Sequence, residues 1–358
     1  MLYTHATRIP SVAYFSMEIG LRNEIPTYFG GLGILVEDVV KSSADLRLPL
    51  VAVTLVSRKG YFRQEITKEG RQIEYPMDWN PSSFASLLPE EVEVKVQGRR
   101  VKVKAWLYDC CQKSLTGGSA PVLFRDTDVE GNAQEDRGVT AFLYGGDDMY
   151  RLKQEVVLGI GGAKMLEALN FEIRRYHMNE VHSSLPTVEL LRRFGMDANK
   201  VKERCIFTTH TSVEAAYDKF SYEMVRDVVG EPIPLDAMKK FGGKDVLNMA
   251  LLALNLSEYI NGVSEMHRNS TKAMFPGYEV KAITNGVYSF DWTCEHFKRL
   301  YNRYIPGWAN DPYLLVRVDS VPDELIWQAH SLAKKELIDY VNEVTGVGMD
   351  YETRAGRL

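Results

Sequence analysis

Cysteine is scarce, with four in 358 residues. That excludes a disulfide-stapled fold. Cys110 and Cys111 are adjacent, so bridging them would strain the backbone, and Cys205 sits in an apolar run that suits a small buried side chain. A reducing cytoplasm is the simplest setting. Long apolar runs are also missing. The best candidate, Gly30 to Val36, is closed by Glu37 and Asp38, far short of the roughly 18 residues of a membrane helix. Met1 to Pro10 has no signal-peptide apolar stretch. No basic stripe accompanies the formal net charge of −5, which argues against nucleic acid as a partner. Histidines are few, His177 and His182 are five apart, and no His-Glu-x-x-His occurs. No metal site is therefore expected.

What is present is an ordinary globular composition, 45% hydrophobic and 25% charged, in a chain long enough for one large or two smaller domains. Val12 to Phe15 and Leu50 to Val56 read as buried strands, with a helix from Ile34 to Leu46 between them. That is a strand–helix–strand unit of a parallel sheet. The period then changes. Val92, Val94 and Val96 alternate with charges, Gln97-Gly98 makes a turn, and Val101 to Leu107 alternate again, which predicts a hairpin. A second hairpin is expected from Tyr61–Ile66 and Gln72–Tyr75. The stretch from about 60 to 128 reads as an antiparallel insertion. Helices follow at Arg151–Leu169, Leu185–Phe194, Leu247–Leu256 and Leu325–Val341. Short strands fall around Tyr176 and at Cys205–Thr208, Tyr259–Val263 and Val280–Ile283. Such alternation predicts an α/β, doubly wound, Rossmann-like sheet. Gly159, Gly161 and Gly162 weaken their helix, which points to close packing against a neighbour.

Several constellations could carry chemistry. Gly30, Gly31, Leu32 and Gly33 precede a predicted helix whose N–H groups suit a phosphate or sugar oxygen; the plainer reading is a tight turn. Asp147 and Asp148 follow two glycines just before Arg151. One aspartate can cap that helix, and the other would be free for sugar hydroxyls. His210, in Thr208-Thr209-His210-Thr211, stands past the end of an apolar strand, where open sheets bind ligands. Asn285-Gly286 is first of all a turn. From residues alone, the reading stops at an α/β protein with a glycine-rich anion or sugar site.

Taken together and in order, many segments resemble the α-glucan (glycogen, starch, maltodextrin) phosphorylase family in its shorter bacterial and archaeal form. They include Ala13-Tyr-Phe-Ser-Met-Glu18, Tyr28-Phe-Gly-Gly-Leu-Gly33, Gly60-Tyr-Phe-Arg-Gln64, Leu143-Tyr-Gly-Gly-Asp147, Arg151-Leu-Lys-Gln-Glu155, His177-Met-Asn-Glu180 with His182, Phe207-Thr-Thr-His-Thr211 and Ile283-Thr-Asn-Gly-Val287. The set covers roughly residues 11 to 345. The resemblance implies the amino-terminal domain, residues 1–345, of a GT-B type glycosyltransferase fold, with residues 346–358 as a tail at the junction to a second domain. It implies phosphorolysis of α-1,4-glucan by orthophosphate to glucose 1-phosphate, with pyridoxal phosphate as cofactor. By the same likeness, Gly31 N–H would lie by the cofactor phosphate, within the Gly30–Gly33 turn, and Leu32 N–H by the glucosyl unit. Asp147 and Asp148 would sit beside the sugar, steadied by Arg151, with His210, His182 and Asn285 nearby.

Four positions depart from the family pattern. Tyr217 and Tyr288 stand where histidine is usual, Glu37 replaces a glycine near the anion site, and Val181 replaces a small residue. The cofactor lysine of the family lies in its second domain, and no lysine here has that context. The resulting expectation is half an enzyme, inactive alone, that pairs with a carboxy-terminal half or with itself. Two other expectations stand beside it: a catalytically inactive glucan-binding or regulatory homologue, and a nucleotide-sugar glucosyltransferase-like protein.

Overall fold

The computed structural model describes residues 9–109, 114–230 and 234–351; Cys110 and Cys111 lie outside them. Its strands are β1 (Val12–Phe15), β2 (Leu50–Leu55), β3 (Arg63–Ile66), β4 (Gln72–Tyr75), β5 (Ser86–Val96), β6 (Arg99–Asp109), β7 (Pro121–Asp126), β8 (Arg175–Asn179), β9 (Cys205–Thr209), β10 (Lys219–Ser221), β11 (Val246–Asn248), β12 (Tyr259–Gly262) and β13 (Lys281–Ala282). The helices are α1 (Gly31–Asp45), α2 (Gln134–Arg137), α3 (Asp148–Val156), α4 (Gly162–Ala168), α5 (Pro186–Arg193), α6 (Ala198–Lys202), α7 (Tyr222–Val229), α8 (Leu235–Gly242), α9 (Met249–Asn255), α10 (Glu265–Met274), α11 (Glu295–Tyr304) and α12 (Asp323–Thr345). Packing divides the chain into two compact units, up to Gly286 and from Val287 on.

The first unit is built on a nine-stranded sheet in the order β13-β12-β9-β8-β1-β2-β7-β6-β5. Pairing is parallel from β13 to β7 and antiparallel from β7 to β5. The two-residue alternation of β1 and β2 splits their side chains between two cores. Ala13, Phe15, Val51, Val53 and Leu55 join one core, with Leu152 and Val156 of α3, Leu166 of α4 and Leu190 of α5. Tyr14, Leu50 and Ala52 join the other, with Val36, Val40 and Ala44 of α1. Helices therefore cover both faces, which is why β2 is buried throughout.

The expected hairpin is β5–β6, paired from Val96↔Arg99 outward. Gln97 and Gly98 both have positive φ, 49° and 74°, the geometry of a twisted two-residue turn. β3 and β4 pair only with each other. The last strand of the stretch from 60 to 128, β7, runs parallel to β2, because its six residues are all buried and suit an interior position. β5 lies at the sheet edge and carries a register irregularity between Leu87 and Glu91.

Two elements differ from the sequence expectation. The helix read at Leu247–Leu256 starts later. β11 ends at Asn248, whose side chain accepts from the N–H groups of Ala250 and Leu251 and so caps α9. The helix read at Arg151–Leu169 is interrupted by a π turn at Val157–Gly161. Close packing at its glycines is present. A Cβ on Gly159 would meet Leu185 Cβ at 2.7 Å and the Leu185 backbone carbon at 2.9 Å. One on Gly162 would meet Phe15 at 2.8 Å and Val53 at 2.9 Å.

The second unit holds α11, a 3₁₀ segment at Pro312–Ser320 and α12. Its core is Ile305, Trp308 and Val321. Trp308 is fully buried, stacks on Phe290 and donates from Nε1 to Asn302 Oδ1 at 2.9 Å. Gly346, in the left-handed region at φ 68°, ends α12.

Gly159→Ala should lower stability by about 1–3 kcal/mol, because the neighbouring backbone cannot yield. Gly161→Ala, whose nearest neighbour is a valine methyl at 3.3 Å, should change it by less than about 1 kcal/mol. Urea unfolding of the two variants checks the contrast; equal midpoints would contradict it.

Candidate functional site

The direction of chain travel reverses between β1 and β8. From β1 the chain goes to β2 and β7 on one side, and from β8 to β9, β12 and β13 on the other. The crevice outside the carboxyl ends of such strands is where open sheets bind ligands. Here those ends carry Ser16–Glu18, Asn179–Glu180 and His210.

Glu18 is 4% exposed and fully partnered. Its Oε2 accepts from the N–H groups of Phe29 (2.8 Å) and Gly30 (3.3 Å), and its Oε1 accepts from the Tyr144 hydroxyl at 2.7 Å. It ties the loop before α1 to the loop before α3. The motif that ends at Glu18 does not by itself assign the residue a role. The available signal was a carboxylate placed just past a buried strand.

The α1 N-terminus is open. Gly30 is its N-cap, with no side-chain cap and no acidic residue in the first turn. The first-turn N–H groups of Gly31 and Leu32 have no partner within the helix. Gly31 is exposed, and a Cβ there would meet nothing within 4 Å. Gly33 is needed for packing, since its Cβ would lie 2.4 Å from Tyr28 Cβ and 2.9 Å from Glu18 Oε2. This first turn suits a phosphate or a sugar oxygen. Glu37, one turn on, is ion-paired with Lys41, so its charge does not stand alone beside that turn.

Asp147 caps α3, its carboxylate accepting from Tyr150 N–H at 2.9 Å. Both Asp147 and Asp148 are exposed. Arg151 is mostly buried. Its Nη2 lies 3.4 Å from Asp218 Oδ2, its Nε lies 3.5 Å from Glu155 Oε1, and its guanidinium rests 4.6 Å over the Tyr144 ring. It thereby packs against the loop that carries Tyr144. The Glu155 carboxyl is fully buried; burial and then the Asp218 charge push its pKa well up. Asp218 is a long-range partner of Arg151 that no local signal announces, whereas Glu155 faces it from one helical turn on.

At the β8 and β9 ends, Glu180 adopts φ 69°. Its carboxylate accepts from His210 N–H (2.7 Å), Thr211 Oγ1 (3.0 Å) and Val181 N–H (3.0 Å). Asn179 directs its amide nitrogen to Ser16 Oγ, so its Oδ1 accepts from His210 Nε2 at 2.7 Å. His177 Nε2 meets Thr208 Oγ1 at 2.8 Å, and that hydroxyl donates to Asn261. His177 is thus a structural hydrogen-bonding group. His182 is buried with its Nε2 unpartnered, 6.2 Å from the Tyr144 ring centre. Burial, then the charge of Arg151, hold its pKa well below the usual histidine value.

The structure thus connects Gly30, Glu18, Tyr144, Arg151 and His182, and it links His210 to the same strand ends. Tyr217 is buried in the β9–β10 connection, its hydroxyl donating to the Thr211 carbonyl at 2.7 Å. Asn285 lies past β13 at the sheet edge, its N–H donating to the Val263 carbonyl. Tyr288 belongs to the second unit. Cys205 is buried, and burial pushes its thiol up to about 12. Among the described residues no cluster of histidine, cysteine and carboxylate groups could hold a metal, and no helix is long and apolar enough to cross a membrane.

No protein-family model matches the chain. Curated relatives do. A maltodextrin phosphorylase of Thermococcus litoralis is 34% identical over 92% of this chain and 43% of its own length. A glycogen phosphorylase of Mycobacterium tuberculosis is 32% identical over 92% and 43%. One of Aquifex aeolicus is 28% identical over 93% and 52%. The chain is a relative of the α-glucan phosphorylases, and it spans about half the length of the curated relatives it matches.

Burial lowers the pKa of His177 and of His210 to about 4. Both rings should stay neutral from pH 8 to pH 5, with flat ring-proton shifts in NMR; a midpoint near 6.5 for either would contradict the burial. The unfolded chain takes up these protons near pH 6.5 while the folded chain refuses them. Stability is therefore full above that pH and declines as pH falls toward 4.

Proposed function

We propose that this chain supplies the amino-terminal wall of an α-glucan phosphorylase active site. In this reading its sheet is one Rossmann-like half of a GT-B architecture, and the facing wall, with the cofactor lysine, belongs to a second domain. The observation that carries the proposal is the open first turn of α1 beside the Glu18–Tyr144–Arg151 linkage, in a chain related to phosphorylases.

The reaction replaces the terminal α-1,4 glycosidic bond with a bond from the same anomeric carbon to orthophosphate, releasing glucose 1-phosphate and a shortened glucan. Pyridoxal phosphate, when bound, supplies a phosphate group that acts in proton transfer. The first turn of α1 fits that group, since Gly31 leaves its N–H approachable and the neighbouring Glu18 carboxylate is bonded to the N–H groups of Phe29 and Gly30, which precede the turn. In this chain, Gly30, Gly31 and Gly33 shape the cofactor side, and Leu32 N–H faces the glucosyl unit. Charge developing on the sugar in an oxocarbenium-like state is met by fixed dipoles rather than by reorganising water. Asp147 and Asp148 lie on the sugar side. Arg151 positions their loop through Tyr144. His210, held neutral, offers a hydrogen bond rather than a charge, and His182 and Asn285 support the same edge. Scarce cysteine, with free thiols at Cys205 and Cys294, suits a reducing compartment such as the cytoplasm.

A second reading, a glucan-binding homologue without catalysis, draws on Tyr217. Its hydroxyl is buried and donates to the Thr211 carbonyl, so it does not stand in for the histidine usual at that position.

The deciding experiment is release of glucose 1-phosphate from maltoheptaose and orthophosphate with pyridoxal phosphate supplied. The chain alone should give none, and the chain with a polypeptide carrying the second domain should give release. Arg151→Ala should then lower the rate by at least about tenfold, through loss of loop position. Continued absence of release with the second domain present would favour the glucan-binding reading.

A further inference from the structure

A pocket of about 310 Å³ opens on the flank of the first unit, between β5, α5, the end of α7 and the helical run from α3 to α4. It uses none of the groups that line the crevice at the strand ends. Ile160, in the π turn, lies twelve residues beyond Asp148, roughly 18 Å along the helical path. The floor is aliphatic: Val156, Ile160, Val188 and Val229 line it, and all four are buried. Lys95, Lys164 and Arg192 line it as well. They are more exposed than the floor and so stand at its mouth.

The fold sets these cations in place. The one carboxylate in the lining, Glu189, is buried and satisfied internally. Its Oε1 accepts from Arg192 Nη2 at 2.7 Å and from Arg193 Nε at 3.2 Å, and its Oε2 accepts from Arg192 Nε at 3.1 Å. It therefore brings no uncompensated negative charge to the pocket, and it holds the Arg192 guanidinium by one edge. The N–H groups of the other edge suit a second anion. Lys164 reaches from α4 to β5, its Nζ donating to the Glu93 carbonyl at 2.9 Å, which uses one of its three donors. The Lys95 stem passes Gly230, where a Cβ would lie 3.9 Å from Lys95 Cδ. Lysine stems lie on apolar surface in this way while their ammonium heads stay at the rim. Groups held before a ligand arrives keep the ordering cost of binding small.

The lining identifies the ligand class. Among the described residues that line the pocket there is no aromatic ring, no hydroxyl and no side-chain amide, the groups that would recognise a nucleobase or a sugar. Aliphatic walls favour a hydrocarbon body, and the cations at the mouth favour an anionic head. The volume lies at the lower end of the roughly 300–1,000 Å³ of small-molecule sites. Ile160 reaches the floor from a π turn, a feature frequent at functional sites. We propose that this pocket binds a small aliphatic carboxylate, with its head at Lys95, Lys164 and Arg192 and its hydrocarbon body on the valine floor. The site rests on the pocket alone and not on the phosphorylase reading.

Calorimetric titration of the chain with octanoate tests it, with acetate as a head without a body and inorganic phosphate as a plain anion. Octanoate should bind with a Kd below about 1 mM, and acetate at least about tenfold more weakly, because the body supplies the apolar burial. Lys164→Glu should weaken octanoate binding by about tenfold, with an unchanged urea midpoint showing that the variant folds. Lys95→Glu, at an exposed strand position, should act in the same direction and serves if Lys164→Glu is unstable. No octanoate binding by the unaltered chain overturns the proposal. So does binding that both charge reversals leave unchanged, which would put octanoate elsewhere. Acetate binding as tightly as octanoate, or phosphate displacing octanoate at equal concentration, overturns it in favour of a site for small anions. Octanoate binding with the expected dependences upholds the pocket whether or not the chain ever supports phosphorolysis.

Discussion

The Glu18 carboxylate holds the candidate site together. A buried carboxylate is costly unless its oxygens are satisfied, and this one is satisfied by two backbone N–H groups and a phenol from two distant loops. Charge-assisted bonds of this kind are short and strong. The start of α1 is fixed by one oxygen, and the ring on which Arg151 rests is fixed by the other. Arg151 in turn faces Asp218 and Glu155. Removing the carboxylate would leave two N–H groups and a hydroxyl without partners and would release both loops together.

Much of the fold was legible because it is written locally. The alternation of Val92 to Leu107 around Gln97-Gly98 is sufficient to specify β5–β6. Apolar spacing places α1, and the Asp147-Asp148 pair announces a cap for α3, which the structure assigns to Asp147. The elements that escaped were settled by tertiary contact. The π turn at Val157–Gly161 follows from how Gly159 and Gly162 must pass Leu185 and Phe15. β7 is antiparallel to β6, as its place in that stretch implies, and its wholly buried side chains also seat it parallel to β2, which no local pattern shows.

The site was legible to a lesser degree for the same reason. The glycine run, the Asp147 loop and the strand-end His210 each carry a short-range signature. Glu18 and Asp218 do not, since their partners lie far away along the chain. Among the departures from the family pattern, the two that concern charge and hydroxyl placement come out differently. Glu37 is neutralised by Lys41, whereas Tyr217 is committed to the Thr211 carbonyl.

The edge position of β5 has a consequence for how the protein behaves in a crowded solution. An eleven-residue edge strand offers a row of free backbone groups that invites another chain to join the sheet. Pro89 interrupts the donor row, and the irregular register between Leu87 and Glu91 bends it. Beyond it, Glu91, Glu93 and Lys95 place charge along the same strand, with Lys102 facing Glu91 at 3.4 Å. Strand pairing at this edge of the sheet is thereby disfavoured.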